Sequence, residues 1–288
     1  MAKTILQSFQ EYKRNLEITS LQTEVVSTRH TNVRKILSDN LKVLDTFLTG
    51  SYSRSTMIAP LKEADIDIFA VLNPEYYEKD GQAKLLDIVK RSLKKAYPIT
   101  SKISRNGQAI TITFNDFLVD VVPSFYRKGG GYIIADTISM KWIGTDPRKH
   151  IEIMSKSNFE HNGDFVPLVK MIKGWNKNIS YNFRSFHLEV MAYHILENVT
   201  ISDYPSGIRY FFEKGIDYIT KKNPDPAGYN DDVGSYINTK GKFESATTAF
   251  ATALNRALRA EEYALRGYIE ESINEWRKIF GSRFPAFG

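Results

Sequence analysis

Two apolar stretches of this chain carry aspartate where a strand is normally hydrophobic, and they constrain the fold more than any other feature. The first reads Asp65-Ile66-Asp67-Ile68-Phe69-Ala70-Val71-Leu72 and the second Phe117-Leu118-Val119-Asp120-Val121-Val122-Pro123. Their length and their β-branched and aromatic content predict strands over 66–72 and 117–123. On a strand, Asp65 and Asp67 point to one face while Ile66 and Ile68 point to the other. Side-by-side carboxylates repel and are costly on a half-buried surface unless a cation lies between them; a hard, oxygen-seeking ion such as Mg2+ meets that need. A solvated edge strand is the plainer alternative, and a chain of this length shows Asp-x-Asp roughly once by accident. Asp120 tips the balance, because a single charge among apolar companions needs a partner. The economical arrangement sets the 117–123 strand beside the 66–72 strand. Asp65, Asp67 and Asp120 then meet at one site that can hold two metal ions about 3.5–4 Å apart.

Upstream lies a short polar turn, Gly50-Ser51-Tyr52-Ser53-Arg54-Ser55-Thr56. Backbone N–H groups of a Gly-Ser turn can hold a triphosphate, and paired carboxylates can hold the ions that accompany it. Turn, pair and third aspartate together point to metal-dependent nucleotidyl transfer. The mild net charge of +6 fits a phosphate-bearing partner but adds little weight. The absence of cysteine excludes thiol nucleophiles, disulfides and cysteine zinc sites. No signal peptide is visible and the longest apolar runs are strand-sized, so a cytoplasmic enzyme without a membrane partner is expected.

The surrounding pattern places these motifs. Leu21, Val25, Val26, Val33, Ile36, Leu41, Leu44 and Leu48 recur near a 3.6 period, which predicts a long helix over 5–48. A helix over 85–96 and strands over 103–105, 109–114 and 132–134 follow, joined by the turn dipeptides Asn106-Gly107 and Asn115-Asp116. The three glycines 129–131 read as a hairpin turn. After Pro147 helix predominates, apart from a Pro/Asn/Gly-rich loop over 222–234. An α+β fold is expected, with a mixed-sheet core lobe over 1–145 and a helical lobe over 146–288 sharing one nucleotide cleft. Other constellations carry no chemistry. His187, Glu189 and His194 lack the spacing of a zinc-protease helix. A His-x-Glu start without a Pro-Cys-x-x-Cys partner does not make a deaminase. Trp175 and Trp276 read as core.

Gly50-Ser51, Asp65-x-Asp67 and Asp120 in this order resemble the polymerase-beta-like nucleotidyltransferase superfamily. Within it the chain is similar to the cGAS/DncV-like nucleotidyltransferases of bacterial anti-phage defence. That narrower likeness rests on 50–56, Val119-Asp120-Val121-Val122-Pro123, Lys173-Gly174-Trp175-Asn176, Ser185-Phe186-His187-Leu188-Glu189 and Trp276-Arg277-Lys278-Ile279-Phe280-Gly281. It runs from about residue 20 to the C-terminus. One departure is Ser55, where the looser family pattern has glycine before the threonine. The resemblance implies an enzyme that condenses nucleoside triphosphates into a cyclic di- or trinucleotide second messenger, releasing pyrophosphate. Asp65 and Asp67 would ligate both of two Mg2+ or Mn2+ ions, and Asp120 the one that activates the acceptor ribose hydroxyl. Gly50 and Ser51 would grip the donor phosphates, Lys173 and Ser185 would contact the donor triphosphate, and Phe186 would stack on its base. Asn158 falls in a stretch that tunes base choice in some relatives. A product-binding effector protein is the implied partner, while no nucleic-acid activator is evident. One rival is a related transferase that makes linear oligonucleotides or extends RNA; the basic stripe with interleaved aromatics that would favour RNA is not seen. The other is a non-enzymatic member or binding module, against which the presence of all three carboxylates argues.

Overall fold

The computed structural model describes residues 2–97, 102–180 and 182–288. In chain order α1 (Ile5–Asn15) and α2 (Ser20–Asn40) lead into β1 (Val43–Thr49), the single turn α3 (Gly50–Ser53), β2 (Asp65–Leu72) and α4 (Gln82–Ala96). Five strands follow: β3 (Ile103–Asn106), β4 (Ala109–Thr113), β5 (Leu118–Tyr126), β6 (Tyr132–Asp136) and β7 (Lys141–Thr145). The remaining helices are α5 (Pro147–Glu160), α6 (Phe165–Asn178), α7 (Ser185–Leu196), α8 (Tyr204–Tyr218), α9 (Lys240–Leu265) and α10 (Ile269–Phe280). The chain divides into two compact units, one formed by 18–152 and the other by the residues up to 17 together with 153–288.

The first unit is built on a seven-stranded mixed sheet with the order β1-β2-β5-β4-β3; β6 pairs with β5 and β7 with β6. Only the β2–β5 pair is parallel among these. Alternation decides what each face does. Ile66, Ile68, Ile110, Ile112, Val119 and Val121 are fully buried in one cluster with Val26, Val33 and Leu37 of α2 and Leu85, Leu86, Val89 and Leu93 of α4. Each such side chain contributes roughly 1.5–3 kcal/mol by leaving water. The opposite face carries the aspartates at one end and a smaller cluster of Phe69, Val71, Tyr132 and Ile134 at the other. The mixed-sheet α+β core expected from the sequence is therefore present.

The predicted single helix over 5–48 is corrected in two places. Thr19 starts a new helix through a capping box: its Oγ1 accepts from the Gln22 N–H (3.2 Å) and Gln22 Oε1 accepts from the Thr19 N–H (3.0 Å). Beyond Asn40 the chain is extended, and Leu44 and Leu48 belong to β1. Strand pairing overrides the helical period there, because β1 runs antiparallel to β2 and sets Phe47 opposite Phe69, ring centroids 5.1 Å apart.

The second unit is helical, and α1 belongs to it rather than to the sheet lobe as the 1–145 division assumed. Its aromatic side finds partners there: Phe9 lies 5.0 Å from the Trp276 ring and 5.2 Å from Phe284, and Tyr12 lies 4.6 Å from Phe280. The boundary falls within α5, whose first residue is Pro147, a position where a missing N–H costs nothing. Trp175 packs edge-on against Phe212 (4.9 Å) and Phe250 (5.0 Å), so both tryptophans singled out as core are core. The expected loop over 222–234 is part of a longer stretch without helix or strand between α8 and α9. No helix among the described residues is long and apolar enough to cross a membrane.

Candidate active site

Strand register assembles the site. Thr49 pairs with Asp67 across β1–β2, Asp67 with Asp120 across β2–β5, and Asp120 with Thr111 across β5–β4. Residues that pair directly share a face, so Thr49, Asp67, Asp120 and Thr111 form one polar row across four strands. Asp65 lies two residues before Asp67 on the same face. One carboxylate oxygen from each of Asp65, Asp67 and Asp120 lies within 4.8 Å of the others. The structure thus brings together the three aspartates that the sequence nominated.

Their environments differ. Asp65 is exposed, whereas Asp67 and Asp120 are half-buried. Burial pushes the Asp120 carboxyl above its ordinary range; the Thr111 hydroxyl pulls it back and the charge of Asp65 adds to the rise. Asp120 Oδ1 is itself buried without a hydrogen-bond partner. Three carboxylates gathered this closely repel one another, and a cation between them relieves that repulsion. An all-oxygen donor set suits Mg2+ or Mn2+. The residues fit the ions that the sequence motif implied.

The Gly-Ser turn adjoins this row because β1 ends at Thr49, opposite Asp67. Gly50 has φ +68°, and a Cβ built on it would lie 1.7 Å from Asp67 Oδ2. Glycine is thus required twice, for the backbone angle and for the approach of the carboxylate. The Ser51 carbonyl accepts from the N–H groups of Thr56 (2.9 Å) and Met57 (3.0 Å), closing the turn. Ser55 stands at φ +59°, so the position filled by glycine in the looser family pattern keeps a glycine-like conformation here.

Lys173, Ser185 and Phe186 lie in the helical unit. Ser185 is exposed and Phe186 half-buried at the first two positions of α7. Lys173 on α6 is 5% exposed, and its Nζ lies 2.9 Å from Glu189 Oε1 on α7, so this ammonium already has a counter-charge. Asn158 Oδ1 accepts from the Val166 N–H (2.9 Å), which ties that side chain to the start of α6. Further along α7, buried His187 holds Nδ1 2.9 Å from the Tyr236 hydroxyl, which also accepts from the Arg184 N–H (2.9 Å). Burial pushes His187 down to about 4, with Asp232 opposing and Arg184 assisting. Sequence reasoning missed Thr111 and the partnership of Glu189 with Lys173. The alternation Ile110-Thr111-Ile112 placed Thr111 on the polar face, but only the register shows that it stands against Asp120.

Residues 3–158, more than half of the chain, match the Second Messenger Oligonucleotide or Dinucleotide Synthetase domain. The chain belongs to this family. It is a cGAS/DncV-like nucleotidyltransferase, as its short motifs implied. Among its relatives, a cyclic AMP-AMP-AMP synthase of an Acinetobacter species is 28% identical, over 98% of this chain and 86% of that protein. A probable cyclic nucleotide synthase of Bacillus cereus is 26% identical, over 99% of both chains. The fold is that of Escherichia coli MS115-1 CdnC, solved with ATP, at a TM-score of 0.79 and 18% identity over 98% of this chain and 99% of that one. This second-messenger synthetase family thus accounts for the nucleotidyl-transfer chemistry read from the aspartates.

Proposed function

We propose that the enzyme condenses nucleoside triphosphates into a cyclic di- or trinucleotide that signals in anti-phage defence. The observation that carries this reading is the convergence of Asp65, Asp67 and Asp120 within 4.8 Å beside the Gly50 turn. Asp65 and Asp67 would hold two divalent ions and Asp120 one of them. When bound, such ions neutralise the triphosphate and make the acceptor ribose hydroxyl easier to deprotonate. The chain's own groups do the positioning. Gly50 and Ser51 present the turn to the donor phosphates, and the family resemblance assigns Ser185 to the donor triphosphate and Phe186 to its base. The family resemblance assigns Lys173 to the donor triphosphate as well, and its Nζ is held 2.9 Å from Glu189 Oε1. The acceptor hydroxyl oxygen forms its bond to the α-phosphorus as the bond to the β-phosphate bridge breaks; pyrophosphate leaves and the proton is lost to water. The names of relatives spanning nearly the whole chain support a cyclic product over a linear one. An effector protein that binds this product is the expected partner.

The test is incubation of the pure protein with labelled triphosphates and Mg2+ or Mn2+, followed by phosphatase. A phosphatase-resistant product that disappears in Asp65→Ala/Asp67→Ala is the expected result. A phosphatase-sensitive ladder would overturn cyclisation in favour of linear synthesis.

A further inference from the structure

The polar row across the sheet contains two hydroxyls, Thr49 and Thr111, that the nucleotidyl-transfer chemistry has not used, and Thr111 is the one paired with Asp120. Thr111 is 7% exposed, stands on the middle of β4 and is the direct cross-strand partner of Asp120. Its neighbours Ile110 and Ile112 are fully buried on the other face, which fixes Thr111 on the face of the aspartates. Each residue of this pair has a buried oxygen without a hydrogen-bond partner: Thr111 Oγ1 and Asp120 Oδ1. One is a donor and the other an acceptor, on residues whose Cβ atoms in a paired register lie about 4.5–5.5 Å apart. Each is therefore the group able to satisfy the other after a small side-chain rotation. Burying either unsatisfied is unfavourable, and valine would fill the same strand position without that cost.

We propose that Thr111 is a positioning residue for the metal site: its hydroxyl donates to Asp120 Oδ1, fixing the carboxylate plane and leaving the second oxygen for the cation. This rests on the reading of the aspartate triad as a metal site. Outer groups that hydrogen-bond a metal-ligating carboxylate orient it, and their loss typically weakens metal binding about 10–100-fold. Serine keeps the hydroxyl and valine keeps the shape, so the two substitutions separate hydrogen bonding from packing.

The experiment measures Mn2+ binding by electron paramagnetic resonance on the full chain without nucleotide. Thr111→Val is expected to raise the Mn2+ dissociation constant at least tenfold, while Thr111→Ser stays within about threefold of the natural protein. Thr111→Ala removes the same hydroxyl without adding a methyl and must weaken Mn2+ equally, which guards against a packing fault peculiar to valine. Melting temperatures without Mn2+ verify that each variant is folded. Unchanged Mn2+ affinity in Thr111→Val and Thr111→Ala, with binding lost in Asp65→Ala/Asp67→Ala, would overturn the role of Thr111 and leave the triad intact. Mn2+ binding that ignores Asp65→Ala/Asp67→Ala would overturn both.

Discussion

Gly50 and Ser55 occupy the left-handed backbone region within one short turn, at φ +68° and +59°, yet they hold it for different reasons. At Gly50 the angle and the carboxylate of Asp67 both exclude a side chain. Gly50→Ala should cost about 1–2 kcal/mol from the backbone angle alone. Its larger effect is to push Asp67 out of the triad, so Mn2+ affinity and turnover should fall at least tenfold. At Ser55 the side chain is exposed, and its φ imposes strain that glycine would not carry. Ser55→Gly should therefore stabilise the protein by up to about 1 kcal/mol without changing turnover. Thermal melts and initial rates for the two variants check the pair. A melting temperature raised by Gly50→Ala, or lowered by Ser55→Gly, would contradict this account of the turn.

Among elements, the α6–α7 pair is joined by the Lys173–Glu189 ion pair, 5% and 0% exposed. Glu189→Gln removes that counter-charge and should destabilise by about 3–5 kcal/mol, whereas Lys173→Met/Glu189→Met should recover most of the loss. If the Lys173 charge also serves the donor triphosphate, the double variant regains its melting temperature but keeps a raised KM for nucleotide. Additive losses in the double variant would show that the two groups act independently. This pair also marks how far the elements were legible. Lys173 and Glu189 were both visible in short motifs, but nothing in their spacing says that α6 and α7 set them 2.9 Å apart. The aspartate triad was legible because its signal is local: a charge in an apolar strand demands an explanation wherever the strand lies. The break at Thr19 is also written in the sequence, as Thr19-x-x-Gln22, a local signal that outweighs the helical period there. β1 was not legible in the same way. Leu44 and Leu48 fit a helix, and only pairing with β2 makes 43–49 extended.

At the scale of the whole molecule, buried titratable groups, His187 foremost, set how stability depends on pH. His187 is 1% exposed, and burial holds it down to about 4 against an ordinary value of 6.5; Arg184 adds to the depression and Asp232 opposes it. Above 6.5 His187 is neutral whether folded or unfolded, and its contribution to stability is fully present. As pH falls below 6.5 the unfolded chain takes up a proton that the folded chain refuses, so stability is lost until the folded histidine also titrates. The slope is about 1.4 kcal/mol per pH unit for one proton, or on the order of 3 kcal/mol between 6.5 and the folded histidine's own titration. His30, held below its ordinary value by burial and Arg34, acts with the same sign. Asp120, held above its ordinary value, acts with the opposite sign once pH approaches the carboxylate range. Urea midpoints measured from pH 7.5 to 4.5 should therefore fall steadily below 6.5 in the natural protein. His187→Gln removes the titration while leaving an amide to meet the Tyr236 hydroxyl, and it should flatten that slope even if its midpoint at pH 7.5 is lower. Parallel profiles for the two proteins would place the acid sensitivity elsewhere in the chain.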